Sequence, residues 1–312
     1  MTVMVCTHNR APSLRHTLEA LAAQRSPVAV DWEIVIVDNN SRDETATVVR
    51  EFAARAPAPV TYLFEPRQGV SWARNAGVAV GKGEVVAFTD DDVRPASDWV
   101  AMLWTLLSES KADMIGGRIL PDWSGPLPGW LARNRWLYGN LALVDHEHRE
   151  WLVQERGTLQ LWCANLAARR SLLDTIGPFD VTLGRVGTRL KSGEDVDMVR
   201  RALAAGAHVL YDPRLVVWHK IPEERMRPSY FRRWHFDGAE GMALRAGPPA
   251  GHRLLGVSLF SYRWLLARLA AWLSALCRRR DAFERELDFL AAAGRWWGEW
   301  QVSRTGRGRH SP

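Results

Sequence analysis

Residues 85–93 read VVAFTDDDV, an apolar run that ends in three consecutive aspartates. The apolar part has the length of one buried strand, and strands of open α/β sheets present ligands at their carboxyl ends. Adjacent carboxylates repel one another, so an acidic ending at the edge of a core favours a bound cation. We therefore predict that a divalent metal carrying an anionic substrate binds among these three aspartates, residues 90–92.

Strands and helices alternate on both sides of this run. Strands are predicted at residues 2–6, 32–37, 60–64 and 85–89, and the helices that follow them at 12–22, 41–52, 71–80 and 97–107. Ser41 and Glu44 predict a capping box at the start of the second helix. Because strands and helices alternate over about 110 residues, we expect an α/β fold with a Rossmann-like, mainly parallel sheet flanked by helices.

The alternation changes after residue 113. We predict a Trp/Pro/Gly-rich functional loop at 121–130, strands at 159–168, 209–211 and 215–218, helices at 171–176 and 194–205, and a flexible segment at 184–193. The helix at 194–205 is expected to stop at Gly206. Together these elements predict one domain over residues 1–225, divided into halves 1–112 and 113–225.

The remaining residues are predicted to form a C-terminal helical appendage over 226–302 and a disordered tail over 303–312. Residues 253–277 are apolar but carry internal arginines, which argues against a membrane-spanning helix. On a helical wheel, Arg253, Arg263 and Arg268 lie opposite Leu255, Leu259, Leu266, Leu269 and Leu273. This amphipathic helix either packs on the first domain or lies on a membrane surface.

Composition excludes several classes of protein. The chain has 312 residues, three widely spaced cysteines and a formal net charge of +6. An odd cysteine count predicts no disulfide framework, and the strand-like start predicts no signal peptide, so we expect reduced thiols and a cytoplasmic location. The charge excess permits an anionic partner, and we expect no nucleic acid among the partners.

Polar residues follow three of the predicted parallel strands. They read THNR at 7–10, DNNS at 38–41 and DDD at 90–92. The carboxyl ends of parallel strands converge on one crevice, where the Asp38 carboxylate would accept hydrogen bonds from a base or ribose. Arginines such as Arg10 and a metal would bind a diphosphate. The alternatives are that Asp38 caps a turn and that Arg10 is a solvated surface residue.

Three further positions carry candidate chemistry. Arg74, at the start of the third helix, either reaches the phosphates or is a plain exposed arginine. Residues 192–197 read SGEDVD, in which Asp195 either completes a helix cap with Ser192 or acts as a general base toward an acceptor hydroxyl. His219 either completes the metal site or is structural.

These motifs, together with residues 69–77 and CANLA at 163–167, resemble the family 2 glycosyltransferases over about residues 1–220. The resemblance implies a GT-A fold, a nucleotide-diphosphate-sugar donor, Mn²⁺ or Mg²⁺, and inversion at the anomeric carbon. It also implies that residues 1–112 bind the nucleotide and 113–225 the acceptor. Cys163 stands where relatives often have glycine.

Carried over position by position, the resemblance assigns three sets of residues. The donor would be bound by Thr7, Asn9, Arg10, Asp38, Asn40, Arg74, Asp90 and Asp91. The metal would be bound by Asp90, Asp92 and His219, and the acceptor side would include Trp162, Ala164 and Asn165. Asp195 would deprotonate the acceptor hydroxyl, with Glu194 beside it.

The sequence therefore predicts a metal-dependent, inverting transferase that adds a sugar to a glycan or lipid-linked acceptor, with peripheral contact to the cytoplasmic face of a membrane. A sugar-nucleotidyltransferase would need a glycine-rich loop with a lysine, which residues 7–11 lack. A dinucleotide dehydrogenase would need G-x-G-x-x-G after the first strand, and this motif is absent there. A haloacid-type phosphatase would carry its aspartates on the first strand, whereas this acidic run follows the fourth. An inactive glycan-binding adaptor of the same fold is the non-enzyme alternative.

Overall fold

A computed structural model describes residues 1–25, 30–146, 151–152, 161–187, 193–247, 249–278 and 281–305. The chain divides into two compact units, with the division between Glu223 and Glu224. Most of the predicted tail at 303–312 and Ser192 of the predicted helix cap lie outside the described residues.

Four parallel strands form the first half of the sheet. They are β1 (Thr2–Thr7), β2 (Glu33–Asp38), β3 (Val60–Phe64) and β4 (Val85–Asp90), in the spatial order β3-β2-β1-β4. They are connected through α1 (Ala11–Ala22), α2 (Thr45–Ala53) and α3 (Val70–Val80). Residues 34–37 of β2 are fully buried, as expected of a parallel strand covered on both faces. The predicted α/β fold is confirmed, and all four strand ends lie at one edge.

The second half extends this sheet with mixed pairing. Its elements are β5 (Val93–Pro95), α4 (Trp99–Glu109), β6 (Met114–Trp123), α5 (Gly129–Ala132), β7 (Trp151–Leu152), β8 (Leu166–Arg169), α6 (Arg170–Ile176), α7 (Glu194–Ala204) and β9 (Val209–Ile221). Strand β8 inserts antiparallel between β4 and β6, and β9 pairs parallel with β6. This order continues the sheet as β4-β8-β6-β9-β5.

Several predicted elements differ from the structure. The capping box at Ser41 is wrong, because the Ser41 hydroxyl accepts a hydrogen bond from the Asn9 backbone N–H, while Asp43 accepts one from the Thr45 N–H. The segments 209–211 and 215–218 form one strand, since a bulge after Asp212 keeps both parts paired with β6.

The other differences concern strand and loop limits. Residues 163–165, predicted as strand, form a 3₁₀ turn before β8, and residues 159–160 lie outside the described part. The predicted loop at 121–130 is shorter, because β6 continues through Trp123 and α5 begins at Gly129.

The second unit contains α8 (Pro228–Ala246), a hairpin of β10 (Arg253–Leu254) and β11 (Val257–Ser258), α9 (Leu259–Arg278) and α10 (Ala282–Thr305). Gly294 and Gly298 allow α10 to approach α8 closely, because a Cβ at either position would meet the backbone of Phe236 or Glu240. Arg253 lies on the hairpin, so the predicted helix starting there is wrong at its first turn. None of the described helices combines the length and apolarity that crossing a bilayer requires.

Candidate functional site

Thr7 and Arg10 connect the end of β1 to the acidic ending of β4. The Thr7 hydroxyl donates to Asp91 Oδ2 at 2.7 Å, and Arg10 NH1 donates to Asp91 Oδ1 at 3.0 Å and Asp92 Oδ2 at 2.8 Å. Burial raises the pKa of Asp91 to about 6, against the opposing effect of Arg10. Both Asp91 oxygens are engaged by protein groups, so this residue holds Thr7 and Arg10 in place.

Asp38 and Tyr62 connect the ends of β2 and β3. Asp38 Oδ1 accepts from the Ser41 N–H at 2.8 Å, and its Oδ2 accepts from the Tyr62 hydroxyl at 2.7 Å. Burial, with a contribution from Asp38, raises the pKa of Tyr62 to about 12. Asp38 therefore does cap a turn, and it also holds the Tyr62 hydroxyl in place. Tyr62 was predicted only as a strand residue, because tyrosine is common in strands.

Three asparagines shape the loops at this edge. Asn9 and Asn40 adopt positive φ angles of 50° and 64°, and the Asn9 side-chain oxygen accepts from the Arg42 N–H at 2.7 Å. Asn39, which the sequence did not single out, donates to the carbonyls of Glu65 and Arg67 and accepts from the Gly69 N–H. Asn39 thereby fixes the loop that leads into α3.

Arg74 joins the acidic ending of β4 to the start of α7. Its NH1 lies 3.0 Å from Glu194 Oε1 and 2.8 Å from Asp195 Oδ1, and its NH2 lies 3.5 Å from Asp90 Oδ1. Arg74 is only 4% exposed, so it is not the surface arginine of the alternative interpretation. One guanidinium therefore contacts both the predicted donor aspartate Asp90 and the predicted base Asp195, which lies 121 residues after Arg74 in the chain.

The chain between α6 and α7 is fastened to α3. The Asn75 amide donates to the Phe179 carbonyl and accepts from the Phe179 N–H, each at 2.8 Å, and Ser71 donates to the Leu183 carbonyl at 2.9 Å. These bonds hold residues 179–183 against α3, and residues 188–192, which lead from there to α7, lie outside the described part of the chain.

Glu194 and Asp195 stand at the N-terminus of α7, where the helix dipole favours negative charge. Burial and the neighbouring Asp195 charge raise the pKa of Glu194. Among the described residues, Glu194 Oε2 has no hydrogen-bond partner. The Asp195 side chain is 14% exposed, whereas that of Glu194 is 9% exposed, so Asp195 is the more accessible carboxylate of the two.

His219 faces Asp92 from β9. Its Nε2 lies 3.3 Å from Asp92 Oδ1, and its Nδ1 lies 2.9 Å from the Leu141 carbonyl oxygen. Because a carbonyl can only accept, Nδ1 carries a proton and Nε2 is the ring nitrogen that faces the Asp92 carboxylate. An imidazole nitrogen and a carboxylate at this distance can share a proton or a cation.

Asp92 and His219 offer atoms of the kind that bind divalent metals, although Arg10 already occupies Asp92 Oδ2. Carboxylates are ligands that Mn²⁺ and Mg²⁺ accept, and the Leu141 bond orients His219 as an outer partner orients a metal-binding imidazole. The described residues contain no preformed group of three or more His, Cys, Asp or Glu ligands. The Asp90 side chain is 35% exposed, and its Oδ1 lies 3.5 Å from the Arg74 guanidinium. A metal here would therefore need further ligands from a substrate or water.

The predicted acceptor-side residues are placed mainly in the scaffold. The Asn165 side chain donates to the carbonyls of Arg118 and Leu215 and accepts from Trp99 Nε1, and Ala164 is buried beneath β4. Asn165 therefore has no amide group left for an acceptor. Trp162 is half-buried, and its Nε1 has no hydrogen-bond partner within the part of the chain described.

The three cysteines are free thiols in different environments, which predicts their reactivity. Burial raises the pKa of Cys6 to about 12 and that of Cys163 well above its ordinary value, whereas Cys277 is exposed. Because the thiolate is the reactive form, we expect Ellman's reagent at neutral pH to modify Cys277 rapidly and the other two only after denaturation. Cys277→Ser should remove the rapid phase. Rapid native labelling of Cys6 or Cys163 would contradict the assigned burial.

The sheet is mainly parallel, and Arg74 joins its acidic edge to the acidic N-terminus of α7. This is the architecture of a GT-A glycosyltransferase. The sequence model of the family described as "Glycosyl transferase family 2" matches residues 2–177, and the chain belongs to this family.

Two curated relatives and one solved structure illustrate the similarity. The succinoglycan biosynthesis protein ExoM of Rhizobium meliloti is 25% identical over 89% of this chain and 81% of its own length. The glucosyl-dolichyl phosphate glucuronosyltransferase of Haloferax volcanii is 29% identical over 72% of this chain and 70% of its own length. The chain spans between 66% and 81% of the first curated relatives it matches.

The solved structure is the mannosyltransferase PcManGT of Pyrobaculum calidifontis in complex with GDP-Man and Mn²⁺. It superposes with a TM-score of 0.61 at 21% identity, covering 95% of this chain and 86% of that one. At this level of identity the likeness concerns the fold. The chain is a glycosyltransferase of family 2 with a GT-A fold.

Proposed function

We propose that this glycosyltransferase moves a sugar from a nucleotide-diphosphate donor to a hydroxyl of a glycan or lipid-linked acceptor, with inversion at the anomeric carbon. The observation that carries the proposal is the Arg74 bridge, in which Asp90 and Asp195 share one buried guanidinium. A donor bound at Asp90 and an acceptor hydroxyl at Asp195 would then lie close enough for a single displacement.

Asp195 is the proposed general base. A carboxylate accepts the proton of the acceptor hydroxyl as that oxygen attacks the anomeric carbon. Arg74 orients Asp195 through the 2.8 Å bond, while Glu194 shares the positive charge from the buried side.

The donor nucleotide is proposed to bind along the strand ends. Asp38 and Asn40 would contact the base and ribose, since each Asp38 oxygen accepts one hydrogen bond within the protein, from the Ser41 N–H or the Tyr62 hydroxyl, and keeps acceptor capacity for a second. Thr7, Asn9 and Asp91 support this region by holding its loops and Arg10, whose cationic group can also neutralise diphosphate charge.

Asp90, Asp92 and His219 would hold Mn²⁺ or Mg²⁺, which would supply positive charge for the leaving diphosphate. PcManGT was solved with Mn²⁺ and GDP-Man, which supports this part of the proposal. The name of the Haloferax relative specifies a glucosyl-dolichyl phosphate, which supports a lipid-linked acceptor. Such an acceptor would be presented at a membrane, so peripheral contact with its cytoplasmic face is part of the proposal.

A thermal-shift screen tests donor and metal binding together. A nucleotide-sugar at about 100 times its Kd should stabilise the protein by about 2.7 kcal/mol when Mn²⁺ is present, and by much less in excess chelator. Asp92→Asn should lose the metal-dependent part of the shift, because it weakens one proposed ligand. Asp122→Asn, an exposed carboxylate on β6, is the matched control and should behave as wild type. A shift that is equal with and without chelator would remove the metal from the proposal.

A further inference from the structure

One side of helix α9 is apolar and exposed. Leu259, Leu266 and Leu273 are spaced by seven residues, so they lie on the same side of the helix. Their exposed fractions are 44%, 62% and 51%. Scattered exposed leucines need no explanation, but a row of them along one helix does.

The hairpin that precedes α9 continues this apolar surface along the chain. Leu254 and Leu255, at its turn, are 55% and 79% exposed. Leu255 has a φ of 51° and Gly256 a φ of 84°, the signs that a type I′ turn requires at both central positions. Asn is the usual residue at the first of these positions, and a leucine is disfavoured there. Leu255 is therefore both strained and exposed. Burial of its side chain in an apolar phase would offset the free-energy cost of this conformation.

The charged side chains of the chain segment that carries this surface are all cationic, and the neighbouring α10 contributes the carboxylate of Asp288. Residues 241–280 contain seven arginines and neither Asp nor Glu. Arg253 and Arg263 are exposed, and neither side chain has an ion pair or hydrogen bond recorded within the described residues. Arg268 pairs with Asp288 of α10 at 3.2 Å, so it is already partly neutralised. At about 100° per residue Arg263 lies about 40° from Leu259, so it flanks the leucines, and the prediction that it lies opposite them is wrong. Arg253 and Arg263 therefore complement a surface that is both apolar and anionic.

We propose that the hairpin turn at Leu254–Leu255 and the Leu259/Leu266/Leu273 side of α9 form a surface that inserts into the interface of an anionic lipid bilayer. The leucines enter the boundary between headgroups and acyl chains, while Arg253 and Arg263 contact lipid phosphates. This inference makes the peripheral membrane contact of the proposed function specific, and it does not depend on the transfer reaction.

Vesicle flotation tests this surface. Wild-type protein should bind vesicles with about 30% phosphatidylglycerol at least about tenfold more tightly than vesicles of phosphatidylcholine alone, with weaker binding in about 0.5 M NaCl. Leu266→Gln with Leu273→Gln should weaken binding to the anionic vesicles by about tenfold or more, because two apolar anchors are lost. Trp104→Gln, on α4 of the first unit and 40% exposed, is the matched control and should bind as wild type.

Leu255→Asn provides a second variant that cannot act through misfolding. Asparagine suits the positive φ, so its Tm should equal or exceed that of wild type while vesicle binding falls by about fivefold. Wild-type protein that does not bind anionic vesicles, or leucine variants that bind as tightly as wild type, would overturn the proposal. If the wild-type protein is a dimer and the leucine variants lose it while binding vesicles unchanged, this surface binds a second copy of the chain and the proposal is overturned. Vesicle binding is read without sugar transfer, so failure of either proposal leaves the other standing.

Discussion

Asp195→Asn is expected to lower the rate of sugar transfer by about 10²–10⁴-fold, because an amide cannot accept the proton of the acceptor hydroxyl. Asparagine keeps the shape of the side chain and can still accept a hydrogen bond from Arg74 through its carbonyl oxygen. Donor affinity should therefore change little. The measurement is kcat together with the donor Kd on the same preparation.

Asp197→Asn is the matched control for this variant. Asp197 lies in the same first turn of α7, but its carboxylate pairs with Arg200 and Arg201. We expect Asp197→Asn to retain most of the transfer rate. An Asp195→Asn enzyme that transfers sugar at the wild-type rate with unchanged donor binding would show that the base is another group.

Arg74→Ala is expected to destabilise the protein by about 3–5 kcal/mol, because it leaves buried carboxylates without their cation. Glu194 and Asp195 would then repel each other at the start of α7, and Asp90 would lose the partner that connects it to them. Urea denaturation followed by circular dichroism gives the change in the free energy of unfolding. Activity should also fall, since Asp195 loses its orientation.

Arg15→Ala is the matched control, because Arg15 pairs with Glu51 at 2.9 Å on the surface, where both side chains are at least 40% exposed. Its cost should be about 1 kcal/mol or less. Adding Glu194→Gln to Arg74→Ala should recover part of the lost stability, since it removes one of the unpaired buried charges. Equal costs for Arg74→Ala and Arg15→Ala would contradict the bridging role.

The alternation of apolar strands and amphipathic helices made the first half of the fold predictable. Four runs of strand length became β1 to β4, of which β1, β2 and β4 are buried while β3 is a partly exposed edge strand. A buried parallel strand needs little beyond a continuous apolar sequence. The limits of the later elements were less predictable. The bulge at Asp212 and the 3₁₀ turn at Cys163–Asn165 arise from packing of β9 and β8 against β6, which the local sequence does not encode.

The site was predictable as a set of strand ends, but not as a set of contacts. The sequence indicated that Asp90 and Asp195 had separate roles, yet gave no sign that Arg74 would bind both. Asn165 was expected on the acceptor side, but its amide is used to join α4, β6 and β9. Such assignments depend on which side chains meet across the fold, and a motif read along the chain does not contain that information.

The most direct test of the account is the release of nucleoside diphosphate from a panel of nucleotide-sugars, measured with Mn²⁺ and candidate glycan or lipid-linked acceptors. The account predicts turnover of at least one donor by the wild-type enzyme, with acceptor-dependent sugar transfer. It also predicts a loss of at least about 10²-fold in Asp195→Asn at unchanged donor binding. A donor that binds but is neither transferred nor hydrolysed, or one turned over equally by Asp195→Asn, would contradict it.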